Sequence, residues 1–225
     1  MNVAERNARP YDTATLDALS KSLRSALVSD ILDGMGRRDQ CAAPGLRPLD
    51  PSHVAVGYAF TSRVIEVDRV PEVPYIGLLR ALDSISTDEV WVVGSPSYAA
   101  LWGELTSTAV RARGARGTVC DGYIRDTRMI RPLDYPVFSR GTSPRDANGR
   151  VEIVPHDGTI EVAGVRVTNG DLVVADDDGV AFVPAELTES VVTAALAKSS
   201  DESLFRVAVQ QGMKPSEAFE RYQVL

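Results

Sequence analysis

The chain has 225 residues, 44% of them apolar, and 24 Lys plus Arg against 31 Asp plus Glu give a net charge of −7. Ordinary Gly and Pro contents and the lack of low-complexity tracts exclude disordered and fibrous classes, and the length suits one α/β unit over 1–225. The acidic balance and scattered basic residues exclude a general binder of nucleic acid or anionic membrane, which needs clustered Lys and Arg. Residues 1–11, MNVAERNARPY, lack the apolar core of a secretory leader, and no stretch approaches the ~18 apolar residues of a membrane span, so the cytoplasm is the expected location. Cys41 and Cys120 form no CxxC and read as reduced, partly buried thiols without assigned chemistry.

Leu16, Leu19, Leu23, Leu27 and Ile31 recur at three- and four-residue intervals, and Gly34 and Gly36 supply stops, so residues 13–36 predict one or two amphipathic helices. Residues 54–67, VAVGYAFTSRVIEV, are β-branched and aromatic and predict a strand, which VPEVP then breaks. A short helix over 76–87 and a short strand over 89–93 follow, ending at Gly94 before a Gly/Ser/Pro loop. Residues 102–113, WGELTSTAVRAR, predict a helix with an acid in its first turn, arginines in its last and Gly114 as its stop. A second strand over 117–121, GTVCD, completes a strand–helix–strand unit with parallel strands. Further β structure is expected at 136–138, 151–167 and 171–183, and a helical tail from 185 to 222.

That unit has a geometric consequence. The amino end of the 103–113 helix, rich in unpaired N–H groups, faces the segment DGYIRD at 121–126, expected just past the second strand. Gly122 allows a turn, Arg125 offers a planar fork for a carboxylate, and Asp126 offers a hard oxygen for Mg²⁺ or Mn²⁺. Such a site suits a 2-oxo acid. An adjacent Arg-Asp pair is equally what a solvated loop presents, and spacing alone does not separate the two.

Four segments in order, SALVSDILDGMG at 25–36, WGELTSTAVRARGARGTVCDGYIRD at 102–126, YPVFSRGTSPRDANGR at 135–150 and GDLVVADDDGVAFVP at 170–184, resemble the ribonuclease E activity regulator A-like (RraA-like) family, which includes 4-hydroxy-4-methyl-2-oxoglutarate/4-carboxy-4-hydroxy-2-oxoadipate aldolases. The aldolase pattern is an acid, twenty residues, then Arg-Asp, and here Glu104 precedes Arg125-Asp126 at that spacing, with Glu where the best-known aldolases carry Asp. The resemblance implies a swivelling β/β/α architecture with a mixed sheet and flanking helices, assembled as a homotrimer or dimer of trimers. It also implies a class II aldolase with oxaloacetate decarboxylase activity, acting on a small 2-oxo acid. Asp126 would then ligate the divalent metal, Arg125 would steady the oxo and enolate oxygens, the backbone around Gly103, Glu104 and Leu105 would take the substrate carboxylate, and Glu104 would hold a proton-shuttling water. The family aldolases often continue Arg-Asp-x-x with an acid, whereas here Arg128 and Met129 follow, so contacts to the far half of the substrate depart from the pattern. Arg128 reads either as a partner for a second carboxylate or as a solvated charge.

A Schiff-base aldolase needs a desolvated lysine, and Lys21, Lys198 and Lys214 all lie away from 94–126, which favours the metal-dependent route. Asp176, Asp177, Asp178 and Gly179 lack the ligand alternation of a calcium loop and read as a turn. His53 and His156 read as structural, Trp102 as packing or a pocket wall, and Asp30 with Asp33 either as a solvated helix face or, by resemblance, as bordering a neighbouring subunit's site. The rival to an aldolase is a protein-binding regulator of ribonuclease activity. No glycine-rich strand–turn–helix signature supports a nucleotide-like cofactor.

Overall fold

A computed structural model describes residues 9–95, 97–155 and 158–224; His156 lies outside the described residues. In chain order the elements are α1 (Thr13–Ser22), α2 (Ser25–Gly34), β1 (Arg47–Pro48), β2 (Ala55–Glu66), α3 (Ile76–Ser84), β3 (Glu89–Gly94), β4 (Ala100–Trp102), α4 (Glu104–Ala112), β5 (Gly117–Ile124) and the short α5 (Thr127–Ile130). They continue with β6 (Val137–Thr142), β7 (Val151–Pro155), β8 (Thr159–Val162), β9 (Val165–Thr168), β10 (Leu172–Ala175), β11 (Val180–Val183), α6 (Thr188–Gln210) and α7 (Pro215–Tyr222).

Among the described residues nine strands form one mixed sheet along β1-β6-β5-β3-β2-β10-β11, with β4 beside β5 and β7 beside β2, while β8 and β9 pair separately. The run β2, β3, β5, β6 is parallel, and β10, β11, β1 and β7 join antiparallel. β2 is long because it serves three partners in turn: β10 along 55–58, β3 along 58–62 and β7 along 62–66. Its first eight residues are buried, as in a strand covered on both faces.

Three apolar groups fill the fold. Leu16, Leu19 and Leu23 of the first helical stretch, with Leu27 and Leu32 of α2, pack on Val56, Tyr58, Leu172 and Val191. Val90, Val92, Val119, Phe138 and Phe182 fill the centre. Around the cleft, Phe60, Trp91 and Trp102 meet edge to face, with centroids 5.4 and 5.1 Å apart, the offset geometry aromatic quadrupoles favour. Helix α3 lies so close to β7 that a Cβ on Gly77 would fall 1.7 Å from the Ile153 carbonyl oxygen, so only glycine fits there.

The mixed sheet and flanking helices match the expected fold class, and the 13–36 stretch is two helices, parted at Leu23 and Arg24, one of the two expected outcomes. Three local expectations need correcting. The second parallel strand runs to Ile124 rather than stopping at 121, which puts Asp121, Gly122 and Tyr123 inside the sheet. The preceding loop contains β4, and Trp102 belongs to it because its carbonyl accepts the Arg125 N–H at 2.9 Å; the helix therefore begins at Glu104. The helical tail breaks between α6 and α7, where Gly212 takes φ +97°.

The aspartate run forms the turn between β10 and β11. Asp176 is buried there and accepts from Ser25 N (2.7 Å) and Ser25 Oγ (2.6 Å), placing a negative charge at the amino end of α2, which has no side-chain cap of its own. Cys120 is fully buried in β5, and burial pushes its thiol up to about 12, which makes it inert. Cys41 is exposed rather than partly buried.

Candidate active site

The site forms where β5 ends. The Arg125–Trp102 backbone bond ties the end of β4 to the end of β5, so Gly103 and the first turn of α4 stand beside Arg125 and Asp126. Asp126 adopts the left-handed conformation (φ 59°, ψ 27°), a strained state for a non-glycine residue, and its carbonyl accepts from Met129 N (2.7 Å) and Ile130 N (3.0 Å). This turn holds the Asp126 carboxylate at the helix end: Oδ2 lies 3.4 Å from Glu104 N and 3.6 Å from Arg125 Nε. A Cβ on Gly103 would come within 2.7 Å of that Oδ2, so glycine is what lets the carboxylate sit there.

Helix α4 is fixed at its start by local bonds. Gly103 N donates to Thr106 Oγ1 (3.0 Å), Thr106 Oγ1 donates to Gly103 O (2.7 Å), and Trp102 Nε1 donates to Ser107 Oγ (2.8 Å). Glu104 contributes its N–H toward Asp126, while its carboxylate accepts from Thr108 Oγ1 at 2.9 Å.

Two further residues complete the arrangement. Arg125 Nη1 lies 3.1 Å from Asp146 Oδ1, and Tyr75 Oη donates to Asp146 Oδ2 at 2.6 Å. Burial works against ionisation of Asp146, yet the Tyr75 hydroxyl, Arg125 and the N–H groups of Ala147 and Asn148 outweigh it and hold the carboxyl below its ordinary range. The same bond to Asp146, aided by burial, raises the Tyr75 phenol. Tyr75 precedes α3 with φ 62°, a second strained residue at the site. Sequence reasoning missed both: Asp146 lies in the quoted segment SPRDANGR without a distinguishing neighbour, and Tyr75 follows a proline-broken stretch with no periodicity.

These groups open into a cleft of roughly 450 Å³ between α3, α4 and β7, lined by Gly103, Leu105, Arg125, Asp126 and Asp146 among others, with Trp102 as a wall. Gly103, Leu105, Arg125 and Asp126 therefore come together as expected, and the Glu104 backbone joins them. Arg128 and Met129 do not line the cleft; both are exposed, Met129 at 61%. Among the described residues no lysine lines it either: Lys198 pairs with Asp30 at 2.5 Å, on α6 and α2. Asp33 is exposed on α2, and His53 Nε2 lies 3.2 Å from Asp134 Oδ1, also outside the cleft.

Among the described residues no three His, Cys, Asp or Glu side chains converge, so an all-protein metal cage is absent. A hard divalent cation needs less: Mg²⁺ is commonly held by one or two carboxylates, with waters and substrate oxygens completing its shell. The half-exposed Asp126 carboxylate, bordering the cleft, fits that demand. No helix among the described residues is long and apolar enough to cross a membrane.

Comparison with known proteins gives the chain's family. Protein DlpA of Legionella pneumophila is 28% identical over 201 residues, covering 88% of this chain; the chain spans 32% of that protein's length. A Halalkalibacterium halodurans protein provisionally named 4-hydroxy-4-methyl-2-oxoglutarate aldolase is 27% identical over 205 residues, 88% of this chain and 90% of its own. The crystal structure of Streptomyces coelicolor RraAS2, described as an unusual member of the RNase ES inhibitor RraA protein family, superposes with TM-score 0.76 at 28% identity, covering 88% of this chain and 98% of that one. Residues 25–182 match the RraA-like family model, described as Aldolase/RraA, a span that contains the cleft's polar end and most of the sheet: the chain belongs to the RraA-like family.

Proposed function

We propose that the chain is a divalent-metal-dependent lyase that releases pyruvate from a 4-hydroxy-2-oxo acid of the 4-hydroxy-4-methyl-2-oxoglutarate type and decarboxylates oxaloacetate at the same site. The observation that carries this reading is the placement of Asp126 and Arg125 side by side against the amino end of α4. When bound, Mg²⁺ or Mn²⁺ supplies Lewis-acid stabilisation of the negative charge that develops on the 2-oxo acid, and Asp126 is the residue that would hold it. Arg125 offers its guanidinium to the oxo oxygen as it gains enolate charge, and the Asp146 contact keeps the fork aimed. The substrate carboxylate takes the first turn of α4, where Leu105 presents its N–H, while Gly103 N is used by Thr106 and Glu104 N points at Asp126 Oδ2, 3.4 Å away. Glu104 holds the water that carries the proton to and from the reacting hydroxyl. The absence of a lysine from the cleft, among the described residues, supports this route over a Schiff base.

The provisional name of the Halalkalibacterium halodurans relative supports the same chemistry. Assembly as a homotrimer or dimer of trimers in the cytoplasm completes the proposal. The test is pyruvate release from 4-hydroxy-4-methyl-2-oxoglutarate and from oxaloacetate, with Mg²⁺ and with chelator. Metal-dependent release supports the reading; no release from either, together with capture by ribonuclease E, replaces it with the regulator reading.

A further inference from the structure

Arg125, Asp126 and Asp146 bring charge to the cleft. Both reactions proposed above need something more, a proton placed on carbon. Tyr75 carries a phenolic proton into the cleft. Its Oη donates to Asp146 Oδ2 at 2.6 Å, and the other oxygen of that carboxylate lies 3.1 Å from Arg125 Nη1, so the phenol stands one carboxylate away from the guanidinium. Both ends of this link are held. Gly77, two residues beyond Tyr75, is pressed against the Ile153 carbonyl of β7, and Tyr75 O accepts from Leu79 N at 2.9 Å as α3 begins. Asp146 is held by its bridge to Ala100 of β4, which pairs with β5. Tyr75 also keeps the left-handed backbone (φ 62°), a costly state for a non-glycine residue and one that gathers at working sites. Tyr75, Asp146 and Arg125 belong to one chain, so the link is in place whatever a neighbouring copy adds at the rim of the cleft.

We propose that Tyr75 is a further catalytic residue of the lyase, the acid that delivers a proton to C3 of the pyruvate enolate. This rests on the lyase reading above and adds a step to it, since Glu104 serves the C4 hydroxyl there. In cleavage the C3–C4 bond breaks, its electron pair passes to C3, and the C4 hydroxyl loses its proton as C4 becomes a carbonyl. In oxaloacetate decarboxylation the pair left by departing carbon dioxide passes to C3 in the same way. Either enolate then takes one proton at C3 from Tyr75 Oη, and the phenolate left behind regains a proton from water, which reaches a side chain 39% exposed. No oxidant or co-reactant is needed. The enolate oxygen and C3 are two bonds apart, as are the two oxygens by which Asp146 spans Arg125 and Tyr75. An enolate lying alongside that carboxylate, its oxygen on Arg125, therefore brings C3 within reach of Tyr75 Oη. The bond to Asp146, aided by burial, raises the phenol, so it keeps its proton at neutral pH and yields it only to a base as strong as an enolate carbon.

The experiment follows two rates in full-length wild type, Tyr75→Phe and Asp146→Asn with Mg²⁺. One is pyruvate release from oxaloacetate. The other is hydrogen–deuterium exchange of the pyruvate methyl group in alkaline heavy water, corrected for exchange by the metal alone, which runs the proton step without carbon–carbon cleavage. In Tyr75→Phe, exchange is expected to fall about 100-fold or more and release by less than about 10-fold, because solvent can protonate the enolate once the carbon–carbon bond has broken. An unchanged melting temperature shows that the lost rate is not lost fold. Asp146→Asn, which acts through Arg125, is expected to lower both rates by a similar factor and so marks what a positioning effect looks like. Exchange in Tyr75→Phe within about 10-fold of wild type, or a fall equal to that in release, overturns the proposal and leaves the lyase reading standing. Wild-type release without exchange does the same. Neither release nor exchange in the wild type overturns both.

Discussion

Arg125 Nη1 and Asp146 Oδ1 lie 3.1 Å apart, so the guanidinium at the end of β5 is steered by a carboxylate from a segment about twenty positions further along the chain. Tyr75 holds the other oxygen of that carboxylate. The three residues come from three separate stretches and meet only because β4 pairs with β5 and Ala100 bridges to Asp146.

Removing that steering costs turnover more than stability. Asp146→Asn is expected to lower kcat/KM about 10- to 100-fold, and Tyr75→Phe by less, since misplaced catalytic groups lose rate steeply. Each side chain of the Arg125–Asp146 pair is 38% exposed, so its contribution to stability is about 1 kcal/mol or less. Because the folded carboxyl sits below its ordinary range, that contribution is present above the unfolded value near ~4 and is lost as pH falls through the lower folded value. Thermal melts of wild type and Asp146→Asn should therefore differ slightly at neutral pH and converge in strong acid. Divergence on acidification would reverse the assigned sign.

Gly103→Ala separates the site from the fold. The added methyl would meet the end of the Asp126 side chain, which can swing aside, and Gly103 has an ordinary extended backbone. Stability is expected to change by less than about 1 kcal/mol. Turnover is expected to fall about 100-fold, because Asp126 loses its place at the helix end. Full activity in this variant would mean that the Asp126 position is unimportant.

Much of this was legible in the residues. The strand–helix–strand reading of 89–121 and the Arg-Asp pair beyond it located the cleft, because apolar runs, a first-turn acid and a glycine stop are local signals. Asp146 and Tyr75 were not legible, since their roles arise from a sheet bridge and a helix entry that no nearby spacing encodes. Neither was β4: Trp102 reads as the start of a helix until its carbonyl is seen to pair with Arg125. The apolar lining that α3 and β7 give the cleft was hidden for the same reason, since those two elements lie far apart in the chain.

Asp176 is expected to matter for folding alone. Asp176→Ala leaves the amino end of α2 without the two bonds to Ser25 and should cost about 2 kcal/mol. Urea unfolding would read this as a lower midpoint at unchanged slope, and kcat per folded molecule should stay at the wild-type value. Unchanged stability would contradict the capping role.

The central claim is that Asp126 holds the divalent ion on which pyruvate release depends. The direct measurement is the rate of oxaloacetate decarboxylation by Asp126→Asn and wild type across a Mg²⁺ titration, corrected for the uncatalysed metal reaction. The expected outcome is a wild-type rate that rises with Mg²⁺ and vanishes with chelator, and a variant rate lower by about 1000-fold at every Mg²⁺ concentration with an unchanged melting temperature. A variant that keeps its rate within about tenfold of wild type, or a wild type indifferent to chelator, would contradict the account.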